Sequence, residues 1–371
     1  MNEKTVVVVF PSIYSSNKIN ELQSSISKIL EIKNHSFDNI RKEDSLIIIE
    51  AVDPVLVSSM VSTLFGIEKV AIAKEIDNDF NNVLSVISST SQSLLLKGEK
   101  FLVKVEGNTE SYLGKDVEIA AISSIIEKSS ILDIKPGSEL DHDKLVYAFI
   151  TKNHAYVCLF IDKGLGGLPY NSQKEKILCC IHDELSTITC LQAIKMGFQV
   201  RMVVCYYNDA NLLKLVKILN RLIPRVIENK IKIQFCKIPR ANISSTIIIT
   251  TNILISVAQK EKISRIALSA SPMIFPHKFS EHIARLVIEK KLVPWFPLSG
   301  IDSSIIDNAK EIGLEKYAIN LRELCSTRLG QEIPKVNNEH LKNSLRTSKT
   351  VEIAVGTKNI HDILDLLKSN H

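Results

Sequence analysis

Residues Gly164–Gly197, GLGGLPYNSQKEKILCCIHDELSTITCLQAIKMG, decide how this chain is to be read. Gly164-Leu165-Gly166-Gly167-Leu168-Pro169 is the strongest structure breaker in the sequence and marks a hinge between domains. Ile177–Ile181 is a short apolar, β-rich run, and a helical stretch from Ser186 to Met196 follows it. Strand, loop and helix in that order place His182–Ser186 beyond the carboxyl end of a strand, where open α/β sheets bind ligands. A phosphate-binding loop in that position needs small residues, so that backbone N–H groups can wrap the anion at the helix N-terminus. Here the loop holds His182, Asp183, Glu184 and Leu185. At 4 Å and an effective dielectric of about 20, each carboxylate–phosphate contact costs about 4 kcal/mol. The alternative role for these residues is a polar helix start, with Asp183 or Glu184 favoured by the helix dipole. A magnesium ion could reverse the sign, because both carboxylates are suitable oxygen ligands.

Working outward, the chain after the loop alternates β-rich runs at 201–206, 231–235 and 263–268 with helices at 211–222 and 244–260. That pattern predicts a doubly wound parallel sheet. Before the hinge, strands at 6–10, 45–50 and 70–73 alternate with helices at 20–30 and 54–65, which predicts a small ferredoxin-like α+β unit. A second α+β segment follows, with helices at 81–96 and 115–127, a strand at 101–105, and a hairpin of strands 146–151 and 155–160 turning at Asn153. The expected domains are 1–75, 76–168 and 169–330, with a tail at 331–371. The tail carries a strand at 351–355 and a final helix at 360–368, fit either to close a sheet edge or to meet a second copy of the chain.

Hydrophobic residues make up 45% and charged residues 23% of the chain, the profile of a folded globular protein rather than a disordered one. MNEKTVVVVFP at the start is too short an apolar run, and too acidic, for a signal peptide or membrane span, so a cytoplasmic location is expected. The 7 cysteines are scattered without a CxxC pair, which predicts reduced thiols and no metal site. Charge is uneven. Residues 151–330 hold 25 basic and 14 acidic side chains, a net of +11, and such an excess attracts polyanions. Within it Lys214, Lys217, Arg221 and Arg225 fall at helical spacing. They form either a phosphate-neutralising row or the wet side of a helix packed by Leu215, Val216 and Leu219.

The order of parts carries a resemblance. GEKFLVKV (98–105), SYLGKDVEIAA (111–121), GLGGLPYNSQ (164–173), the strand–loop–helix, FPLSGIDSSIIDNAKEIG (296–313) and Cys325 together resemble the tRNA 4-thiouridine synthase (tRNA sulfurtransferase) family over residues 1–330. The resemblance implies a ferredoxin-like N-terminal domain at 1–75 and a THUMP RNA-binding domain at 76–168. At 169–330 it implies a PP-loop ATP pyrophosphatase domain of the adenine nucleotide alpha hydrolase-like kind. The family's SGGxDS loop falls on Ile181–Ser186, where Ser186 alone is retained. Its later glycine-bearing nucleotide loop falls on SASPMIF (269–275), without glycines. Of its PLIGxDK motif, Pro297, Leu298, Gly300 and Asp302 match, but Ser303 replaces the lysine.

His182, Asp183, Glu184, Ser186 and Ser269 are thus expected to be the remnant of an ATP pocket, with no cofactor bound. ATP and magnesium are implied only if the enzyme is active. Cys325 stands 12 residues after Gly313, where the family has a sulfur-transfer cysteine, and is the catalytic candidate; Arg322 and Arg328 lie near it in sequence. Lys104 and Lys115 in the THUMP-like segment, with Lys214, Lys217, Arg221 and Arg225, are the RNA-binding candidates. The leading expectation is a tRNA-binding protein unable to adenylate, acting alone, with a catalytic paralogue, or as a homodimer, and with no membrane partner. The alternatives are an active ATP-dependent sulfurtransferase making 4-thiouridine at an atypical site, and a protein-interaction module without RNA affinity.

Overall fold

Four valines in a row, Val6–Val9, run through strand β1 (Lys4–Pro11) of the computed structural model. The structure describes residues 4–107, 109–300, 303–317, 333–334, 338–355, 363–365 and 367. A strand buried on one face alternates apolar and polar residues; an unbroken apolar run requires cover on both faces. Val6 and Val8 join Phe10, Leu46, Ile48, Ala71, Ala73 and Tyr156 in one core. Val7 and Val9 are equally buried on the other face, where α2 (Pro54–Val61) packs against the strand. Asp53 caps α2 by accepting from Leu56 N–H at 2.9 Å, with Pro54 in the first turn.

Two compact units divide the chain at Gly166–Gly167. The first contains an eight-stranded sheet in the order β2-β3-β1-β4-β8-β7-β5-β6. Its strands are β1, β2 (Asn39–Glu43), β3 (Leu46–Glu50), β4 (Ile67–Asp77), β5 (Lys100–Glu106), β6 (Lys135–Pro136), β7 (Lys144–Ile150) and β8 (His154–Gly166). The first four, with α1 (Ile19–Ile32) and α2, form the ferredoxin-like arrangement, antiparallel throughout. Helices α3 (Phe80–Leu94) and α4 (Gly114–Lys128) pack on β5, β7 and β8 through Val83, Ile87, Val103, Val117, Ala121 and Val146. The long antiparallel pair β4–β8 joins the two halves, and β4 runs through the expected boundary at residue 75. β2 is absent from the sequence reading because Asn39–Glu43, NIRKE, is polar. It forms a sheet edge closed by Asp44 in the left-handed region, φ 51°, a conformation that Asp tolerates.

Four strand spacings separate β2 from β8 in the sheet order, about 19 Å if the sheet were flat. Yet Glu43 Oε1 lies 2.9 Å from His154 Nδ1, Glu43 Oε2 accepts from Tyr156 OH at 2.7 Å, and Asp44 Oδ2 accepts from Lys152 N–H at 3.1 Å. The sheet is therefore strongly coiled, and its concave face encloses the core of Val6, Val8, Phe10, Leu46, Ile48 and Tyr156, with these polar groups at its rim.

The second unit carries the order β13-β12-β9-β10-β11-β14. Here β9 (Lys176–Ile181), β10 (Gln199–Tyr206), β11 (Lys230–Lys237), β12 (Arg265–Ala267) and β13 (Val293–Trp295) are parallel. Helices α5 (Glu184–Lys195), α6 (Asp209–Leu222), α7 (Ile243–Glu261), α8 (His277–Ile288) and α9 (Ser303–Glu311) belong to the same unit, as the doubly wound reading expects. Strand order reverses between β9 and β12, so the switch point of this sheet stands at the carboxyl end of β9. Gly167, φ 77°, begins the unit, and a Cβ there would stand 2.5 Å from Lys195 O.

The tail supplies α10 (Asn338–Arg346) and β14 (Lys349–Ala354), which pairs antiparallel with β11 from Lys230–Ala354 to Phe235–Lys349. Of the two roles open to that strand, it takes the closing of the sheet edge. The expected final helix at 360–368 lies mostly outside the described residues. Val351 and Ile353 are buried. Ile353→Ala should lower the unfolding free energy by about 2–5 kcal/mol in urea denaturation. A change near zero would show that the tail is not part of the folded unit.

Candidate functional site

Strand β9 delivers His182 and Asp183 to the switch point, and α5 begins at once behind them. The amides at a helix start have no intrahelical acceptors and need partners. Three amides of this segment find them within the loop. Ser186 Oγ accepts from His182 N–H at 2.9 Å and Asp183 N–H at 3.0 Å, and Asp183 Oδ1 accepts from Ser186 N–H at 2.8 Å. Ser186 Oγ and Thr187 Oγ1 in turn donate to Asp183 O, at 2.9 and 2.7 Å. Asp183 is the N-cap, and its negative charge takes the favourable end of the helix dipole. Leu185 turns inward and is buried. Glu184 is held by Lys214 Nζ at 2.5 Å.

His182 is buried, and neither of its ring nitrogens has a hydrogen-bond partner; its Nε2 stands 3.6 Å from Asp183 Oδ2. Tyr317, which the sequence reading does not single out, belongs to this site. Burial, then the charges of Asp183 and Glu184, push its phenol well above the ordinary range.

Beside the loop, a cavity of about 240 Å³ is lined by His182, Asp183, Cys205, Tyr207, Pro239 and Thr246 among others. Small-molecule sites run from about 300 to 1,000 Å³. Among the described residues, none that line it is Lys, Arg or Gly. Ser269 follows β12 at the same edge and is buried. Its loop is closed in the same manner: Ser271 Oγ donates to Leu298 O at 2.6 Å and accepts from Met273 N–H at 3.2 Å.

The cationic row is divided by the structure. Lys217 is exposed. Lys214 is paired with Glu184, as above. Arg221 Nη1 donates to Gly313 O at 3.0 Å, tying α6 to the end of α9. Arg225 has only 12% of its side chain exposed and faces Glu311 Oε2 at 3.5 Å; burial lowers its pKa from the ordinary arginine range. Arg225 is thus mostly covered and faces an acidic partner, while Arg221 is exposed and also ties two helices together. Helical spacing cannot distinguish these roles, because the acceptors come from a segment some ninety residues away in sequence.

In the first unit, Lys104 Nζ lies 3.5 Å from Glu106 Oε1 and Lys115 Nζ 2.6 Å from Glu118 Oε2. Lys104 also lines a groove of about 590 Å³ with Lys69, Lys163, Tyr147 and Phe160, among which Glu68 and Asp162 also stand. Lys69 Nζ lies 5.2 Å from the Tyr147 ring centre. Phe160 is 54% exposed. Lysines around an open aromatic ring are the components of a single-stranded nucleic-acid surface. The sequence reading misses Lys69, Lys163 and Phe160 because they lie on β4 and β8, adjacent only through strand pairing.

Cys325 and Asp302 lie outside the described residues. The six described cysteines are buried and free. Burial pushes the Cys158 thiol well above its ordinary value, and mutual hydrogen bonding with burial does the same to Cys179, Cys205 and Cys236. None is set up as a nucleophile. Among the described residues no helix is long and apolar enough to cross a membrane.

No family model matches the sequence. Two curated relatives, each named probable tRNA sulfurtransferase, come from Methanosarcina acetivorans and Methanosarcina mazei. The first is 24% identical over 198 residues, 51% of this chain and 47% of the relative; the second is 22% identical over 186 residues, 50% and 46%. The chain spans about half the length of the curated relatives it matches. Among solved structures, a 4-thiouridine synthetase in complex with RNA and with bound ATP superposes with a TM-score of 0.67 at 14% identity, covering 94% of this chain and all of that one. The PH1313 protein of Pyrococcus horikoshii superposes with a TM-score of 0.64 at 17% identity, covering 84% of this chain and all of its own. The expected resemblance holds, and the fold is the one seen in the 4-thiouridine synthetase.

Ser186→Ala removes the acceptor of two amides. It should cost about 1–3 kcal/mol of stability in chemical denaturation without creating affinity for ATP. A gain in ATP binding would mean that the hydroxyl, rather than the bulk and charge around it, excludes the nucleotide.

Proposed function

We propose that this chain is a tRNA-binding protein on the 4-thiouridine synthase scaffold that does not adenylate its target. The observation that carries the second half is the Ser186 hydroxyl holding the amides of His182 and Asp183. An ATP loop must present free N–H groups to phosphate, and here those amides are spent on a helix cap. Asp183 adds a negative charge at the helix start, where phosphate would sit. The small cavity and the closed Ser269–Phe275 loop support the same reading.

The first half rests on likeness and on charge. Relatives named tRNA sulfurtransferase and a fold shared with an RNA-bound synthetase support an RNA partner. So does the basic excess of residues 151–330. The groove of Lys69, Lys104, Lys163 and Phe160 is the surface we assign to it, with phosphates on the lysines and an unpaired base on the ring. Lys217 is the member of the α6 row that remains suited to phosphate.

Fluorescence anisotropy with labelled tRNA should show affinity falling steeply with salt. Lys163→Glu and Lys217→Glu should each lessen the salt slope by about one. Phe160→Ala should cost about 1–3 kcal/mol of binding. Calorimetry with ATP, with and without magnesium, should show no binding. Salt-independent or absent tRNA binding would leave a protein-interaction module instead. Tight Mg·ATP binding with thiouridine formation would establish an active sulfurtransferase, the reading that the relatives' names favour.

A further inference from the structure

Inside the coiled sheet of the first unit, three strands far apart in sequence bring Glu43, Glu75 and His154 together, each with one ligand-capable atom within 4.8 Å of the others. Glu43 is fully engaged. Its carboxylate accepts from Thr151 Oγ1, from Tyr156 OH, and from His154 Nδ1 at 2.9 and 3.0 Å. With the Glu43 carboxylate accepting on that side, Nδ1 carries the ring proton and the lone pair is left on Nε2. Nε2 stands 3.7 Å from Glu75 Oε1, too far for a hydrogen bond, so the ring nitrogen faces the Glu75 carboxylate without a direct bond to it. Glu75 is 9% exposed, and its Oε2 is buried with no hydrogen-bond partner. A buried carboxylate oxygen without a partner is costly and calls for a cation or donor.

The surrounding charge has the required sign. A cavity of about 360 Å³ opens onto Glu75 and His154 and is lined also by Lys4, Arg41, Glu50 and Asp77. Arg41 is already committed, bridging Glu50 and Glu75 Oε1, and Lys4 pairs with Glu50. With Glu43 counted, four carboxylates face two cations, a net of −2 while His154 is neutral.

We propose that His154 Nε2 and Glu75 Oε2 form a binding site for one divalent first-row transition cation, zinc being the probe of choice, with Glu43 orienting the imidazole from behind and water in the cavity completing the shell. An imidazole ligand favours such ions over magnesium or calcium, and a carboxylate on the far ring nitrogen is the usual support of a metal-bound histidine. A cation there ties β4 to β8 where the β2–β3 and β7–β8 turns meet. No sequence motif announces the site, because its residues come from β2, β4 and β8.

Full-length protein stripped with a chelator and titrated with zinc chloride by calorimetry should bind one zinc per chain at this site. Its melting temperature should rise with zinc and not with magnesium. Crystals of the unaltered protein soaked in zinc and measured at the zinc absorption edge should show an anomalous peak between His154 Nε2 and Glu75. His154→Gln and Glu75→Gln should abolish that binding, and Glu43→Gln should weaken it about tenfold or more, with circular dichroism confirming that each variant is folded. No anomalous peak at this position in the unaltered protein would overturn the proposal, whatever the variants do. Folded His154→Gln and Glu75→Gln proteins that bind zinc as the unaltered chain does would overturn it equally.

Discussion

A buried amide must find an acceptor, and at the carboxyl end of β9 the acceptor is the Ser186 hydroxyl. The other features of the loop follow from this arrangement. Because Ser186 reaches back, Asp183 can close the box from the other side and occupy the positive end of α5. Leu185 is then carried into the core, while Glu184 points outward to Lys214. The loop stands at the switch point between β9 and β12, and the amides of His182, Asp183 and Ser186 are satisfied within it.

The first unit depends on a different constraint. Its eight strands would leave an apolar face open if the sheet were flat, and coiling covers that face with its own far edge. Phe10, Tyr147, Tyr156 and Cys158 then share a core with Leu46 and Ile48. Coiling also brings polar groups from opposite ends of the sheet to one rim, where Glu43 binds Thr151, His154 and Tyr156 at once. Buried carboxylates survive only when they are well supplied with donors. Glu43 is so supplied, and Glu75 is supplied on one oxygen only.

Charge shows how a correct average can mislead about particular residues. The basic excess of residues 151–330 is a property of the sequence and acts at long range. Which lysines and arginines present it is a local matter. Of the four cations along α6 and its end, Lys214 is paired, Arg221 ties down a carbonyl and Arg225 is mostly covered, whereas Lys217 is exposed with no such engagement among the described residues. The groove of Lys69, Lys104, Lys163 and Phe160 gathers a comparable set of cations about an aromatic ring, although the surrounding segment is acidic on average.

Local pattern was enough to determine most of the main strands and helices, the parallel sheet and the place of the loop, because apolar periodicity is a short-range property, while Gly164–Gly166, read as a breaker, complete β8 and the units divide just after them. A polar helix start with Asp183 or Glu184 was also legible, and the structure makes Asp183 the cap. Strand β2 escaped because a polar edge strand carries no hydrophobic alternation. The contact of β14 with β11, the burial of Arg225, the place of Tyr317 beside the loop and the meeting of Glu43, Glu75 and His154 could be decided only by tertiary structure. Each joins residues between about 30 and 130 positions apart, and at such separations it is strand pairing and sheet coiling, not local propensity, that set which side chains touch.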